Sequence, residues 1–214
     1  MSKNAKKKKR SVPKKPEKRS HTGLILGIAL ALAAVTLAAV LLLRGRSGRS
    51  TLHHVELEVQ NYGTITMELD ASAAPKTVEN FLKLAESGFY DGLTFHRIID
   101  GFMIQGGDPR GDGTGGSDET VVGEFAENGV ENPISHVRGT VSMARSSDKN
   151  SASSQFFIVQ TDSTYLDGQY AAFGHVTDGM DIVDAICKNT RTTDRNGTVA
   201  PENQPVITAV RVLD

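Results

Sequence analysis

The chain has 214 residues, 38% of them hydrophobic and 23% charged, enough for one cored domain and an appendage. Its formal net charge of −1 averages two unlike parts: residues 1–50 carry thirteen Lys and Arg against the single acid Glu17, leaving eleven basic and twenty-four acidic residues in 51–214. The one cysteine, Cys187, excludes a disulfide within the chain and leaves the redox compartment open.

Residues 1–21, MSKNAKKKKRSVPKKPEKRSH, hold ten positive charges and two prolines and are expected to form a basic, disordered, cytoplasmic tail. KKKKR alone would suit a nuclear signal or a nucleic-acid patch. The run Leu24–Leu43, LILGIALALAAVTLAAVLLL, decides against that, with no charge in twenty residues. At about 1.5 Å per residue it reaches roughly 30 Å, one bilayer core. Residues 22–43 are therefore expected to form a transmembrane helix whose contact is with membrane lipid. A cleaved signal peptide is the rival reading, but the run exceeds a typical h-region and no small-x-small site follows it cleanly. Ten Lys and Arg precede the span and three follow it, Arg44, Arg46 and Arg49. The positive-inside rule then places the N-terminus in the cytoplasm and the rest of the chain outside it, as a single-pass membrane protein. Residues 44–54, RGRSGRSTLHH, read as a flexible linker that holds a folded domain, 55–214, near the membrane surface.

From Val55 the apolar period is two. Val55, Leu57 and Val59 alternate with polar residues, and after Asn61-Tyr62-Gly63 so do Ile65, Met67 and Leu69, which predicts a strand, a turn and a strand. In APKTVENFLKLAESG the residues Val78, Phe81, Leu82 and Ala85 fall on one helical face, Pro75 suits the first position and Gly88 the stop. Further β-prone runs are Thr94–Ile99, Met103–Gln105, Gly139–Met143, Gln155–Val159, Ala172–Val176 and Val206–Leu213. A second helix is predicted over Met180–Lys188, capped by Asp178. Many short strands with two helices argue for a closed antiparallel barrel or a sandwich.

Conventional sites are weak. GDGTGG, Gly111–Gly116, formally fits a phosphate loop but no helical period follows it, so a tight loop is the better reading. The serines of SSDKNSASS, Ser146–Ser154, have no neighbouring His and no nucleophile elbow. His96, His136 and His175 lack metal spacing and are expected to find local partners. No metal or cofactor is expected. Arg97, inside the apolar stretch FHRIIDGFMIQGGD, would on residue type alone be paired with a carboxylate. In a strand, however, Gln155 and Phe157 share one face while Phe156 and Ile158 share the other. Met103 and Gln105 likewise share a face. Exposed Phe and Met beside an Arg point to a binding groove.

FHRIIDGFMIQGGD, GTGG, GTVSMARSSDKNSASSQFFIV and LDGQYAAFGHV, in that order over Val55–Leu213, resemble the cyclophilin family of peptidyl-prolyl isomerases. The resemblance implies an eight-stranded antiparallel barrel capped by two helices, acting on proline-containing polypeptides at its outer face. It implies that Arg97 is catalytic and that Phe102, Met103, Phe157 and Leu166 line the proline pocket. Gln105 and Gln155 would hold the peptide backbone, with main-chain groups of Ala144 and Arg145. The wording MARSSDKNSASSQFF is closer to bacterial members. Tyr165 stands where many members have Trp, and Tyr170 where many have His. Both border the groove, so a cyclosporin-like ligand is expected to bind weakly. Isomerisation of proteins folding outside the cytoplasm is the implied function; a proline-loop holdase with little turnover is the alternative.

Overall fold

The computed structural model describes residues 51–214. The expected tail and transmembrane helix lie outside the described residues, among which no helix is long and apolar enough to cross a membrane. The elements run β1 (Leu52–Val59), β2 (Gly63–Asp70), α1 (Pro75–Glu86), β3 (Thr94–Ile99), β4 (Met103–Asp108), β5 (Thr140–Met143), β6 (Phe156–Val159), β7 (Ala172–Asp178), α2 (Met180–Asn189) and β8 (Ile207–Val212). Within the described residues, each predicted strand and helix is found with small shifts at its ends. β1 begins inside the segment expected as linker, because His53 and His54 pair with Leu69 and Glu68 of β2.

All eight strands form one antiparallel sheet in the order β3-β4-β6-β5-β7-β2-β1-β8. It curls around a core that includes Leu57, Met67, Phe81, Phe95, Phe156 and Phe173, all fully buried. The expected closure is corrected: between β3 and β8 there is no ladder, only the Thr94–Val206 bridge. The edge of β3 is already satisfied by another segment. Ile98 N donates to Gly197 O at 2.8 Å and Val199 N to His96 O at 3.0 Å. β8 reaches only the residues leading into β3, where Ile207 N donates to Leu93 O at 2.7 Å, and the segment before β8 takes Phe95 N on Pro205 O at 3.0 Å. The barrel is therefore open along one seam, and residues 196–199 fill it.

The helices are fastened from a distance. α1 has Pro75 in its first turn and no side-chain cap of its own. Its free amides meet the buried carboxylate of Glu124 instead, Lys76 N at 3.1 Å and Thr77 N at 2.8 Å. An anion at a helix N-terminus satisfies both the orphan donors and the dipole. The expected Asp178 cap of α2 is corrected. Gly179 holds the N-cap position with φ +92° and no side-chain bond is made there. A Cβ at Gly179 would crowd Thr64 O and Ile65 Cα, so close passage over β2 decides that position.

Candidate active site

The pleat gives β4 and β6 two apolar faces. Ile104, Phe156 and Ile158 belong to the barrel core. Met103, Phe157 and Val159 form a second, small buried cluster on the outside, flanked by Ile99, Phe102, Ala144, Leu166 and Tyr170. Strand β3 reaches the same outcome through two compensating bulges. Phe95 pairs with Gly106 and Arg97 with Gln105, so His96 has no partner residue in β4; one step earlier Gly107 is the extra residue. Gly107 has φ +82°, and a Cβ there would overlap Ser154 O. The bulges let Phe95 join the core while Arg97, two residues on, faces the outer cluster.

That outer cluster floors a cavity of about 180 Å³ lined by Arg97, Phe102, Met103, Gln105 and Phe157, with Ala144, Arg145, Leu166 and Tyr170 completing its wall. Gln155 lines an adjoining cavity of about 220 Å³ with Gln105 and the Gly113–Gly115 loop. Tyr165 lines neither; it stands 64% exposed at the rim, its ring 6.1 Å from Phe102. The structure thus gathers the site residues expected from sequence, with Tyr165 at the margin.

Arg97 departs from the usual buried arginine: no carboxylate lies within ion-pair distance of it among the described residues. Its Nε donates to Asn196 O at 2.8 Å and its Nη1 to Gln105 Oε1 at 3.1 Å. Nη2 has no partner among the described residues. Burial lowers its pKa from the ordinary value, but a guanidinium stays cationic in a protein. The bonds continue beyond it. Gln105 Nε2 donates to Gln155 Oε1 at 2.9 Å, and Gln155 Nε2 to Gly115 O at 2.8 Å and Gly113 O at 3.1 Å. A row of amides therefore ties the arginine to the glycine loop. Ala144 N donates to Gln155 O at 3.0 Å.

The glycine loop is tight, as its sequence suggested. Buried Asp108 accepts from the amides of Arg110, Asp112 and Gly113. A Cβ at Gly115 would overlap Asp108 Oδ1, and one at Gly116 would overlap Ser153 Oγ. The amides of Asp112 and Gly113 are turned onto Asp108 and that of Thr114 onto Asp112, so none of the three faces outward to cradle a phosphate.

Three supports were not legible from spacing. Arg145, expected to act through its main chain, also places its guanidinium 4.8 Å from the Tyr170 ring and 5.1 Å from Phe125. It donates twice to Gln169 O, at 2.9 and 3.0 Å, and so holds the Leu166–Tyr170 wall. Asp167 pins the same wall from behind: Oδ1 accepts from His136 N at 2.7 Å and Oδ2 from Ser135 Oγ at 2.6 Å. His136 then stacks on Phe157 at 6.0 Å and lies edge-on to Tyr170 at 6.5 Å. Its Nδ1 meets Asp167 at 2.9 Å and its Nε2 meets Ser142 Oγ at 2.9 Å. A Ser-His-Asp row is thus present, with Asp167 brought from 31 residues along the chain to His136. Ser142 is fully buried under the aromatic floor, so the row braces the pocket and offers no nucleophile. Burial lowers the pKa of His136 despite Asp167. His175 lies 3.8 Å from Glu68. The local partner expected for His96 is corrected: both its ring nitrogens are buried without a hydrogen bond, since the bulge turns the ring beneath Gly113.

The family model described as Cyclophilin type peptidyl-prolyl cis-trans isomerase/CLD matches residues 54–212. The chain is 42% identical over 160 residues to a peptidyl-prolyl cis-trans isomerase-like 2 of Aspergillus oryzae, covering 74% of this chain and 27% of that protein. It is 42% identical over 159 residues to a peptidyl-prolyl cis-trans isomerase A of Dickeya dadantii, covering 72% of this chain and 81% of the relative. The match therefore spans about a quarter of the fungal relative's length and most of the bacterial one's. A crystal structure of a cyclophilin type isomerase from Cryptosporidium parvum superposes with a TM-score of 0.67 at 32% identity, covering 76% of this chain and 98% of that one. A second structure of that protein, in the presence of the dipeptide Ala-Pro, gives 0.66 at the same identity, covering 75% and 99%.

Proposed function

Because the chain belongs to the cyclophilin-type peptidyl-prolyl cis-trans isomerase family, we propose that it accelerates rotation about X–Pro bonds in other polypeptides, with Arg97 as its catalytic residue. One observation carries this reading. A cationic guanidinium without a carboxylate partner borders a ring-sized cavity with an apolar floor on the outside of the barrel. The chemistry needs nothing more. Amide resonance sets a barrier of about 18–20 kcal/mol, and the uncatalysed X–Pro bond turns over in tens to hundreds of seconds. Rotation breaks that resonance and leaves a lone pair on the prolyl nitrogen. The aromatic floor grips the pyrrolidine ring, Gln105 and the Ala144 carbonyl hold the flanking chain, and Arg97 donates to the nitrogen only when the bond is twisted. This is binding of the transition state in preference to the planar ground state, by a preorganised, half-buried charge.

The substrates are proline-containing proteins folding outside the cytoplasm. Residues 22–43 serve as the membrane anchor that keeps the enzyme beside them, with the N-terminal tail in the cytoplasm. The basic bias around that run supports this topology. A bacterial-like member is favoured by the MARSSDKNSASSQFF wording and by coverage of 81% of the Dickeya relative. The test is a prolyl-peptide isomerisation assay on the full chain in detergent, with and without cyclosporin, paired with protease added to spheroplasts. Acceleration that Arg97→Ala lowers roughly 10- to 150-fold, with the barrel digested and the tail spared, is the expected result. Peptide binding without acceleration would make the protein a holdase, and a barrel protected until lysis would reverse the topology.

A further inference from the structure

The Nε–H of Arg97 is fixed by one acceptor, the main-chain carbonyl of Asn196 at 2.8 Å. That carbonyl lies neither in a strand nor in a helix, so something else must keep it in place. Asp194 does so. Its Oδ1 accepts from Asn196 N at 2.9 Å and Thr198 N at 3.0 Å, while Oδ2 accepts from Thr198 Oγ1 at 2.9 Å. One carboxylate thus closes the turn on both sides of Asn196. Its bonds to the backbone and hydroxyl of Thr198 hold its pKa below the ordinary carboxylate value, so the turn stays closed at neutral pH.

The turn is also docked. Gly197 has φ +84°, and a Cβ there would overlap Ile98 O. Ile98 N donates to Gly197 O at 2.8 Å, and Arg97 is bridged to Thr198 across the seam. The arginine's other anchor, Gln105 Oε1 at 3.1 Å, belongs to a side-chain amide. The Asn196 carbonyl is therefore the backbone reference for the guanidinium plane. Among the carboxylates, Asp194 is also the one whose charge acts on Arg97.

We infer that Asp194 is a positioning residue for the isomerisation: by closing the 194–198 turn it aims the Asn196 carbonyl, and through it the Arg97 guanidinium, at the prolyl nitrogen. This rests on Arg97 being the catalytic residue. The chemistry makes aim the sensitive quantity, because the lone pair exists only in the twisted state and the donor cannot be recruited by ground-state binding.

The experiment compares Asp194→Ala, Asp194→Asn, Arg97→Ala and the Arg97→Ala/Asp194→Ala pair in the full chain. Isomerisation rates, Kd for a proline peptide and the Nε–Hε NMR signal of Arg97 are measured on each. Asp194→Ala should lower kcat/KM about 10-fold, less than the roughly 100-fold that a 1 Å misplacement costs. Peptide Kd should change little, and the Arg97 Nε–Hε signal should broaden or exchange faster. Asp194→Asn keeps an oxygen for both amides and should restore the rate and the signal. In the Arg97→Ala background the Asp194→Ala change should cost nothing further. Should Asp194→Ala fail to fold, Thr198→Val breaks the Oδ2 arm alone and should show the same pattern, smaller. The inference is overturned if Asp194→Ala lowers stability while leaving kcat and the Arg97 signal untouched, or if its cost persists without Arg97. If Arg97→Ala itself keeps the wild-type rate, the catalytic reading fails and takes this inference with it.

Discussion

The two faces of strands β3, β4 and β6 are built from neighbouring residues and behave as different materials. Inward, Phe95, Ile98, Ile104, Phe156 and Ile158 join one continuous core. Outward, Arg97, Gln105, Met103 and Phe157 surround a cavity open to solvent. The inner face is apolar and owes its order to packing. The outer face mixes a small apolar floor with side-chain hydrogen bonds that fix direction. A period of two assigns each residue to one face, and a slip of one residue exchanges them. The fold therefore protects the site by protecting its register, and the bulge at His96 is where that register is reset.

Slipping the register should break the distinction outright. Inserting one alanine between Arg97 and Ile98 puts these two residues on the same face, sending either Arg97 into the core or Ile98 into the groove, and the expected outcome is no soluble, active protein. A folded insertion variant with normal turnover would show that the register does not aim the arginine. Point changes separate the faces more gently. Phe156→Ala opens a sealed cavity and should cost about 3–5 kcal/mol of stability, with the fraction that remains folded keeping normal kcat/KM. Phe157→Ala leaves a gap that water from the groove can enter. It should cost less stability but raise KM for proline peptides severalfold. Denaturation midpoints and isomerisation rates on both variants decide this, and equal effects on both quantities in both variants would erase the contrast.

Acid should load the outer and seam regions before the core. His136 beneath the pocket and His96 in the bulge are both held below the ordinary value of 6.5, chiefly by burial. Asp167 faces His136, and Asp108, Arg97 and Asp112 face His96. A depressed histidine pKa means that the unfolded chain takes up the proton first. Stability should be full above about pH 6.5 and fall as the pH drops from there toward the folded values. His54, raised by its bond to Asp214, runs the opposite way, but it is exposed and screened. Urea midpoints between pH 7.5 and 5 that do not fall, or that fail to flatten in a His96→Gln/His136→Gln variant, would refute this. The smallest expected effect is at the rim. Tyr165→Trp should tighten cyclosporin binding by about 1 kcal/mol, severalfold in Kd, by adding ring area and an indole N–H. Equal affinity of wild type and variant would show that the exposed rim does not set sensitivity.

The alternation of β1, β2 and β6, the apolar face of α1 and the outward pairing of Gln155 with Phe157 are written in adjacent residues. They are legible because period and face are local properties. The features that escape a reading of the sequence depend on distant partners. Glu124 fastens α1, Asp167 and His136 brace the pocket floor, and Asp194 lies far along the chain from Arg97, so no spacing announces them. The open seam of the barrel is hidden for the same reason: nothing in β3 or β8 shows that residues 196–199 will occupy it. The N-cap of α2 differs from expectation because Gly179 answers to close passage over β2, which helix-capping preference does not weigh.

The central claim is that Arg97 binds the twisted bond more strongly than the planar one. It is tested by measuring the isomerisation rate and the proline-peptide Kd of Arg97→Ala side by side, by NMR exchange and calorimetry. A hydrogen bond to a charged group contributes about 1.5–3 kcal/mol, so kcat/KM should fall roughly 10- to 150-fold. Kd should change far less, because the planar nitrogen has no lone pair to offer. If both fall by the same factor, Arg97 holds substrate equally in both states, and preferential binding of the twisted bond is not how this protein catalyses rotation.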